Sequence, residues 1–239
     1  MSWVIVIPAY QAALHIQGVL RRIAALDAPE LGLVVVVNDG SSDETSQRVR
    51  ESGFNRCELR LIERPKNGGY GAAMKDGLDA ARSLDPDVVA CIHADGQYGP
   101  EALPGLCSAL SLPARDLIQG SRIASGTALS GGMPIYKFVG NALLNRLENH
   151  TLGLSLTDYH SGYLVYGRRA LALDYHRLSN SFDFDLELIA TARARGLSVG
   201  EAPIPTHYGD EVSHLNPLSY GLRVLRVMWN YRRGRYAAA

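Results

Sequence analysis

The chain has 239 residues, and its 24 basic side chains balance its 24 acidic ones, so no net charge favours nucleic acid as a partner. Its three cysteines are too few and too scattered for a disulfide framework or a CxxC zinc site, which is typical of a reduced, cytoplasmic protein. No stretch approaches the ~20 apolar residues of a membrane span, and the first residues lack a basic leader, so we expect neither a transmembrane helix nor a signal peptide.

Short apolar runs alternate with helical patterns along the chain. We predict strands at residues 3–7, 33–37, 58–62, 88–92, 116–119, 163–166 and 197–202. Helices are predicted at residues 11–26, 45–51, from the glycine-rich segment 64–71 to about 83, and at 101–110, 135–150, 182–194 and 217–233. Because the strands are continuously apolar and alternate with helices, we expect an α/β fold with a mostly parallel central sheet and helices on both faces.

The strand at 88–92 is followed by polar residues at every second position, namely His93, Asp95 and Gln97. Alternation along an extended chain puts these side chains on one side, at the strand end where ligands bind in open α/β sheets. The oxygens of Asp95 and Gln97 suit Mg²⁺ or Mn²⁺, which usually also takes diphosphate oxygens. A polar turn after a core strand is an equally good interpretation of this stretch alone.

Two other loops offer groups to a ligand. Residues 64–71 form a glycine-rich entry to a helix, where main-chain N–H groups can bind an anion and Arg64 and Lys66 add positive charge. The segment is neither a Walker A motif nor a Rossmann fingerprint, and a simple helix-entry turn explains it as well. Asp39 follows the second strand and is either a ligand-binding residue or a turn residue that bonds its own backbone.

Three later segments add further expectations. Residues 123–134 are rich in glycine and predict a mobile loop that could close as a lid. The helix at 135–150 has Ile135, Val139 and Leu143 on its apolar side. The acids at 183, 185 and 187 fit the N-terminus of a helix, where carboxylates are favourable.

The chain after Glu211 contains no acidic residue and accumulates arginines around the apolar spacing of Leu222, Leu225 and Trp229. A basic amphipathic helix can lie on an anionic membrane, but a helix docked on the core with a solvated basic edge fits the pattern slightly better. We therefore expect one domain at residues 1–214, followed by a basic amphipathic helix and tail at 215–239.

Six motifs in this order resemble the family-two glycosyltransferases of GT-A (nucleotide-diphospho-sugar transferase) fold, especially the dolichyl- or polyprenyl-phosphate sugar synthases. They are IPAY (7–10), VVNDGSSDET (36–45), RxxNGGxG (64–71), HADGQY (93–98), GSR (120–122) and SGY (161–163). The resemblance implies a metal-dependent, inverting transfer of a sugar from a UDP-, GDP- or dTDP-sugar to an acceptor. It implies a polyprenyl phosphate acceptor and a cytoplasmic enzyme peripheral at the inner membrane face.

The resemblance also implies roles for individual residues. Asp95 matches the second acid of the metal-binding D-x-D motif and would therefore be a catalytic residue. Gln97 and His93 would be further metal ligands. Arg122 and Lys137 would bind the acceptor phosphate. The nucleotide site, with Asp39 at the base, would comprise Pro8, Ala9, Tyr10, Asp39, Arg64, Gly68, Gly69 and Ala94.

The acceptor decides whether the enzyme needs a general base. A lipid phosphate is already a nucleophilic oxyanion, whereas an alcohol needs a base, for which Asp158 and His160 are the catalytic candidates. A turn-capping Asp158 and a structural His160 are the plainer interpretations.

Two positions depart from the family pattern: His93 replaces the usual first acid of D-x-D, and Gln11 replaces the usual Asn after IPAY. A neutral imidazole can bind Mn²⁺ but brings no negative charge, which leaves the identity of the metal open. Three alternatives remain: transfer to a soluble hydroxyl acceptor, a non-catalytic nucleotide-sugar-binding module, and a sugar-1-phosphate nucleotidyltransferase. The last should carry a glycine-rich motif with an arginine directly after the first strand, and the sequence there is Pro-Ala-Tyr-Gln.

Overall fold

The computed structural model describes residues 1–111, 115–126, 128–205 and 217–237, with only the backbone of Lys137, Pro217 and Leu218. All seven predicted strands are present, with ends that shift by a residue or two. They are β1 Trp3–Ala9, β2 Leu31–Asn38, β3 Glu58–Glu63, β4 Val88–Cys91, β5 Leu117–Ser121, β6 Leu164–Gly167 and β7 Val199–Pro203.

The described residues form eight α-helices: α1 Ile16–Ala24, α2 Thr45–Arg50, α3 Tyr70–Arg82, α4 Leu103–Ser111, α5 Ile135–Leu152, α6 Arg168–Leu171, α7 Phe184–Ala194 and α8 Pro217–Arg232. The short α6 was not predicted, because one turn is too short to show a helical period.

The predicted start of α1 at residue 11 is wrong, since the helix begins at Ile16. Gln11 has φ +52°, which is outside the helical region. The main-chain N–H of Gln11 donates to Ser41 Oγ, that of Ala12 to Thr45 Oγ1 and that of Ala13 to Asp43 Oδ2. Side chains of the segment after β2 therefore hold residues 11–13 in a non-helical turn, and the helix begins only after it.

The strands form one sheet in the order β3-β2-β1-β4-β6-β5-β7. β6 runs antiparallel to β4 and β5, and the other pairs are parallel, which confirms the prediction of a mostly parallel sheet. In the register, Ala9 of β1 is level with Asn38 of β2, and Val6 is level with Cys91 of β4. The loops after these three strands therefore leave the sheet at one edge.

Both faces of the sheet are covered. Along β2, Leu33, Val35 and Val37 pack in one hydrophobic cluster, which also contains buried residues of α3, α7 and α8. Val34 and Val36 point to the other face and pack in a second cluster with residues of α1 and α4. Alternate residues of a strand point to opposite faces, so a continuously apolar strand is buried on both.

α8 docks on the first of these clusters through Val224, Val227 and Met228. The helix therefore docks on the core, as in the second of the two alternatives. Leu222, Leu225 and Trp229, which form the apolar row seen in the sequence, are instead exposed. The domain boundary expected at 214–215 lies outside the described residues, as does Thr127 of the predicted loop. None of the helices in the described ranges is long and apolar enough to cross a bilayer.

Candidate active site

The carboxylate of Asp39 joins the end of β2 to the turn before α3. The main-chain N–H of Gly68 donates to Asp39 Oδ1 at 2.9 Å, and that of Gly69 donates to Oδ2 at 2.8 Å. Arg64 adds an ion pair, with its Nη1 atom 3.1 Å from Asp39 Oδ1. The Asp39 N–H donates to the carbonyl oxygen of Ala9 at 2.8 Å, at the end of β1. Asp39 thus connects the ends of three strands and does not simply bond its own turn.

The glycine turn has little conformational freedom. Gly69 has φ +95°, and a Cβ atom there would lie 2.4 Å from the carbonyl oxygen of Asn180. Only glycine fits both constraints. The N–H groups of Gly68 and Gly69, which we expected to bind an anionic ligand, donate instead to the carboxylate of Asp39.

The other predicted nucleotide residues lie at the same edge of the sheet. Pro8 is half-buried and Ala9 is buried at the end of β1, and the ring of Tyr10 follows with an exposed face. Ala94 is buried in the loop after β4. Because β1 pairs with both β2 and β4, these residues and Asp39 belong to one group of loops.

The loop after β4 carries the three predicted metal ligands. Asp95 is half-buried, and its Oδ1 atom accepts a hydrogen bond from the N–H of Gln97 at 2.9 Å. The ring of His93 packs against Tyr70 and Tyr98, with ring centroids 5.6 Å apart in both pairs. Burial lowers the pKa of the His93 imidazole, although the carboxylate of Asp95 opposes this, so the ring is neutral at pH 7.

Gly162 of the SGY motif makes room for the His93 ring. It has φ +74°, and a Cβ atom there would lie 2.6 Å from His93 Nε2 and 3.5 Å from Asp185 Oδ2. Among the described residues, neither His93 Nε2 nor Asp185 Oδ1 has a hydrogen-bond partner, although both atoms are buried. The His93 Nε2 atom without a partner therefore lies beside this glycine, which the Asp185 carboxylate approaches through its other oxygen, Oδ2.

Asp185, in the first turn of α7, is a buried acid whose place at the site the sequence analysis missed. Tyr70 Oη donates to its Oδ2 atom at 2.7 Å. Burial raises the pKa of the Asp185 carboxyl to about 7, and the hydrogen bond from Tyr70 opposes this rise. The sequence contained an acid near a helix N-terminus, but that pattern predicts a solvated side chain and gives no sign of burial.

Where the acceptor phosphate is predicted to bind, Arg122 and Asp158 form a buried ion pair. Arg122 Nε lies 2.6 Å from Asp158 Oδ2, and Arg122 Nη2 donates to Oδ1 at 2.9 Å. The main-chain N–H groups of Arg122 and His160 also donate to this carboxylate, at 3.2 and 3.0 Å. Burial alone would raise the pKa of Asp158, but the charge and hydrogen bonds of Arg122 lower it, so the group is ionised. This geometry favours a positioning role for Asp158 over general base catalysis.

His160 connects this turn to two helices. Its Nδ1 atom lies 3.0 Å from Tyr220 Oη of α8, and its Nε2 atom lies 3.3 Å from Oε2 of Glu148, a wholly buried residue of α5. Arg122 also donates from Nη1 to Tyr98 Oη at 3.2 Å, which links the acceptor side to the ring beside His93. Lys137 lies in the first turn of α5, and its side chain is outside the described residues.

The model of the glycosyl transferase family 2 matches residues 4–173, which is more than half of the chain. The chain belongs to glycosyl transferase family 2. It is 32% identical over 207 residues to the low-salt glycan biosynthesis hexosyltransferase of Haloferax volcanii, covering 86% of this chain and 47% of that protein. It is 26% identical over 217 residues to the UDP-N-acetylglucosamine–dolichyl-phosphate N-acetylglucosaminyltransferase of Methanococcus voltae, covering 85% of each. The chain thus spans about half the length of the first relative and most of the second.

Solved structures show the same fold. Glucosyl-3-phosphoglycerate synthase from Mycobacterium tuberculosis, solved with Mn²⁺, UDP and glucosyl-3-phosphoglycerate, superposes with a TM-score of 0.67 at 19% identity. The match covers 98% of this chain and 79% of that one. These comparisons and the sheet topology confirm the predicted family and the GT-A fold, and at this identity the likeness extends to the fold alone.

The donor atoms of this family 2 chain fit a divalent cation. Among the described residues, no three His, Cys, Asp or Glu side chains come together as a complete metal site. The imidazole of His93, the carboxylate of Asp95 and the amide oxygen of Gln97 would supply only part of a ligand set, which suits a cation that shares substrate phosphates. The buried Nε2 atom of His93 without a partner agrees with this, and a nitrogen ligand favours Mn²⁺ over Mg²⁺.

Proposed function

We propose that the chain transfers a sugar, with inversion, from a nucleotide-diphosphate sugar to a polyprenyl phosphate, with Mn²⁺ or Mg²⁺ as cofactor. The observation that best supports a phosphate acceptor is the environment of Asp158, whose carboxylate accepts four hydrogen bonds from Arg122 and His160. A hydroxyl acceptor needs a general base, and a carboxylate held in this way is poorly placed to serve. A phosphate monoester has a second pKa of about 6 and is already ionised near neutrality.

The donor would bind at the edge formed by the loops after β1, β2 and β4. Asp39 would contact the base, with Pro8, Ala9, Tyr10 and Ala94 lining the pocket. Arg64, Gly68 and Gly69 would lie beside the nucleotide and hold Asp39 in place through the contacts described above. Because Asp39 is fixed before the donor arrives, little ordering of this side chain would accompany binding.

His93, Asp95 and Gln97 would hold the divalent cation, which when bound neutralises the charge that develops on the leaving diphosphate. Arg122 and Lys137 would position the acceptor phosphate. The Arg122 guanidinium has a fixed orientation because Asp158 binds it at two atoms. One acceptor oxygen would then bond to C1 of the sugar as the bond from C1 to the diphosphate breaks on the opposite side, and the nucleoside diphosphate leaves.

The relative from Methanococcus voltae is named for transfer to dolichyl phosphate, which supports the acceptor class. An enzyme acting on such a lipid would work at a membrane face. We propose the cytoplasmic face of the inner membrane, with peripheral attachment.

The test begins with donor and metal. Thermal-shift screening against UDP-, GDP- and dTDP-sugars, with and without Mn²⁺, would identify the nucleotide, since a ligand at one hundred times its Kd stabilises by about 2.7 kcal/mol. Sugar transfer to a short polyprenyl phosphate and to soluble alcohols is then measured with that donor. Transfer only to alcohols would support the hydroxyl-acceptor alternative, and no release of nucleoside diphosphate with any acceptor would support a non-catalytic binding module.

Asp95→Asn tests the metal site within the same assay. We expect turnover to fall by about 10²-fold or more while the fold survives, because the variant loses the carboxylate that would hold the cation against the developing negative charge. Asp27→Asn, at an exposed position in the loop before β2, is the matched control and should be unchanged. Near-normal activity of Asp95→Asn at limiting metal would contradict the assignment.

A further inference from the structure

Exposed apolar side chains are concentrated in two segments of the described chain. Ile135 is 74% exposed and Leu143 is 69% exposed on α5, and Leu222 is 70% exposed and Trp229 is 61% exposed on α8. Of the 13 exposed large hydrophobic residues in the described ranges, seven belong to these two helices: Ile135, Tyr136, Val139, Leu143, Leu222, Leu225 and Trp229. Scattered exposed hydrophobic residues are normal, but such a concentration indicates a contact surface.

On α8, apolar residues occupy two faces. Val224, Val227 and Met228 pack in the core, whereas Leu222, Leu225 and Trp229, spaced three and four residues apart, share the exposed face. A helix that only docks on its own core needs one apolar face. We name the exposed residues Ile135, Tyr136, Val139 and Leu143 of α5 and Leu222, Leu225 and Trp229 of α8 the outer apolar surface.

The described charges beside the α8 part of the outer apolar surface are positive. Arg226 and Arg233 are exposed on α8 and just beyond it, and the Arg233 guanidinium lies 5.6 Å from the centre of the Trp229 ring. Arg223 is paired with Asp183, so it differs from these two. No acidic residue occurs in the sequence after Glu211. An apolar face flanked by arginines matches an anionic lipid surface, whereas two copies brought face to face would bring like charges together.

The outer apolar surface belongs to the two helices that hold the candidate acceptor turn. Asn145 of α5 accepts from the N–H of Tyr159 at 3.4 Å, and Glu148 of α5 lies against His160. Tyr220 of α8 contacts the other nitrogen of the same imidazole. α5 and α8 therefore support the turn that positions Asp158 and, through it, Arg122.

We propose that the outer apolar surface docks the protein on an anionic lipid bilayer and so brings the acceptor site to the membrane. The benefit of docking, access to a lipid acceptor, rests on the proposed function, but the surface itself is separate from the candidate active site. It gives α5 the role that the sequence analysis offered only to the C-terminal helix.

The test is co-sedimentation of the full chain with vesicles of phosphatidylglycerol and phosphatidylcholine, compared with pure phosphatidylcholine, at low and high salt. Two apolar double variants should each weaken binding by about tenfold or more, because one buried Leu or Val side chain contributes at least that factor. An arginine double variant should weaken binding by about fivefold per arginine at low salt, and less at high salt. The variants are Val139→Ser with Leu143→Ser, Leu225→Ser with Trp229→Ser, and Arg226→Ser with Arg233→Ser.

Leu84→Ser and Arg56→Ser, at exposed positions outside α5 and α8, are the matched controls and should bind as the parent does. Thermal unfolding of each variant checks that it is folded. Transfer to a short, water-soluble prenyl phosphate without vesicles should be unchanged in all variants, and its absence from the parent chain would refute the proposed function without touching the docking surface.

Three results would overturn the docking proposal. The first is no binding of the parent to anionic vesicles at low salt. The second is binding that the apolar variants leave unchanged. The third is a parent dimer by light scattering that the apolar variants convert to monomer, which would assign the outer apolar surface to a second copy of the chain.

Discussion

Replacing Asp158 with Asn removes the negative charge that the buried Arg122 guanidinium faces. The Asp158 side chain is wholly buried, and breaking a buried pair by removing one partner costs about 3–5 kcal/mol. The free energy of unfolding of native domains is about 5–15 kcal/mol. We therefore expect Asp158→Asn to fold but to lose a large part of this free energy. Arg122→Gln should have a comparable effect, because it leaves the carboxylate without its charged partner.

The double variant measures the interaction energy between Asp158 and Arg122 separately from the effect of losing either residue. Asp158→Asn with Arg122→Gln leaves neither charge unpaired, so its loss should fall short of the sum of the single losses by about 1–3 kcal/mol. Urea unfolding at pH 7 measures all four proteins, and equal m-values would show that the unfolded states are comparable. A coupling energy within about 0.5 kcal/mol of zero would refute the argument that the two residues act as one unit.

The pH dependence gives a second check on Asp158. Its pKa is lowered in the folded protein, where burial is outweighed by Arg122, from an unfolded value of about 3.9. The stability that it contributes is therefore present above about pH 4 and is lost as the pH falls further, through the folded pKa. The stability difference between parent and Asp158→Asn should be constant from about pH 5 to 8 and should shrink in more acidic solution. A difference that grows on acidification would contradict the direction of the shift.

Three other substitutions address the donor side. Asp39→Asn should lower the free energy of unfolding by about 1–3 kcal/mol, because it weakens the bonds to the glycine turn. It should also weaken calorimetric binding of the free nucleotide without metal, and unchanged affinity would refute a contact with the base. Gln11 has φ +52°, a conformation that costs a non-glycine residue about 1–3 kcal/mol, so Gln11→Gly should raise the Tm. A lower Tm would show that the lost bond to Ser42 outweighs the strain. His93→Asp should raise Mn²⁺ affinity in the presence of nucleotide, with His93→Asn as the neutral control, and equal affinity of parent and His93→Asp would refute the argument that the missing negative charge weakens metal binding.

The strands could be predicted because the evidence for them is local. β2 is apolar at consecutive positions, since its two faces meet different helices, and such a run is visible without a structure. The start of α1 could not be predicted, because it depends on side chains of residues 41–45, which bind the backbone of residues 11–13. Only tertiary contacts show that the helical pattern begins before the helix does.

The candidate site was predictable where a motif marks a strand end and not where burial decides the chemistry. Asp39 and Asp95 lie in the loops after β2 and β4, so their places near the strand ends could be predicted from the sequence. Asp185 is surrounded by residues far away in the chain, since Tyr70 lies 115 positions before it and Gly162 lies 23 positions before it. The spacing on α8 identified an apolar row but did not show whether that row is buried or exposed. A helix with two apolar faces has the same period on each face, so the sequence pattern cannot tell them apart.

The three carboxylates first assigned to the site differ in the charge that they present to a ligand. Asp158 faces Arg122 at 2.6 Å, so this pair is close to neutral when seen from a few ångströms away, and Asp39 faces Arg64 at 3.1 Å, an arginine that also pairs with Asp76. Asp95 instead neighbours the imidazole of His93, which burial keeps uncharged. The field that attracts a divalent cation therefore comes mainly from one carboxylate, and the diphosphate of the donor would have to supply the rest. We expect cation and donor to strengthen each other's binding by the same factor, as linkage requires. We therefore expect histidine at the first position of the motif to make metal binding dependent on the donor rather than to abolish it.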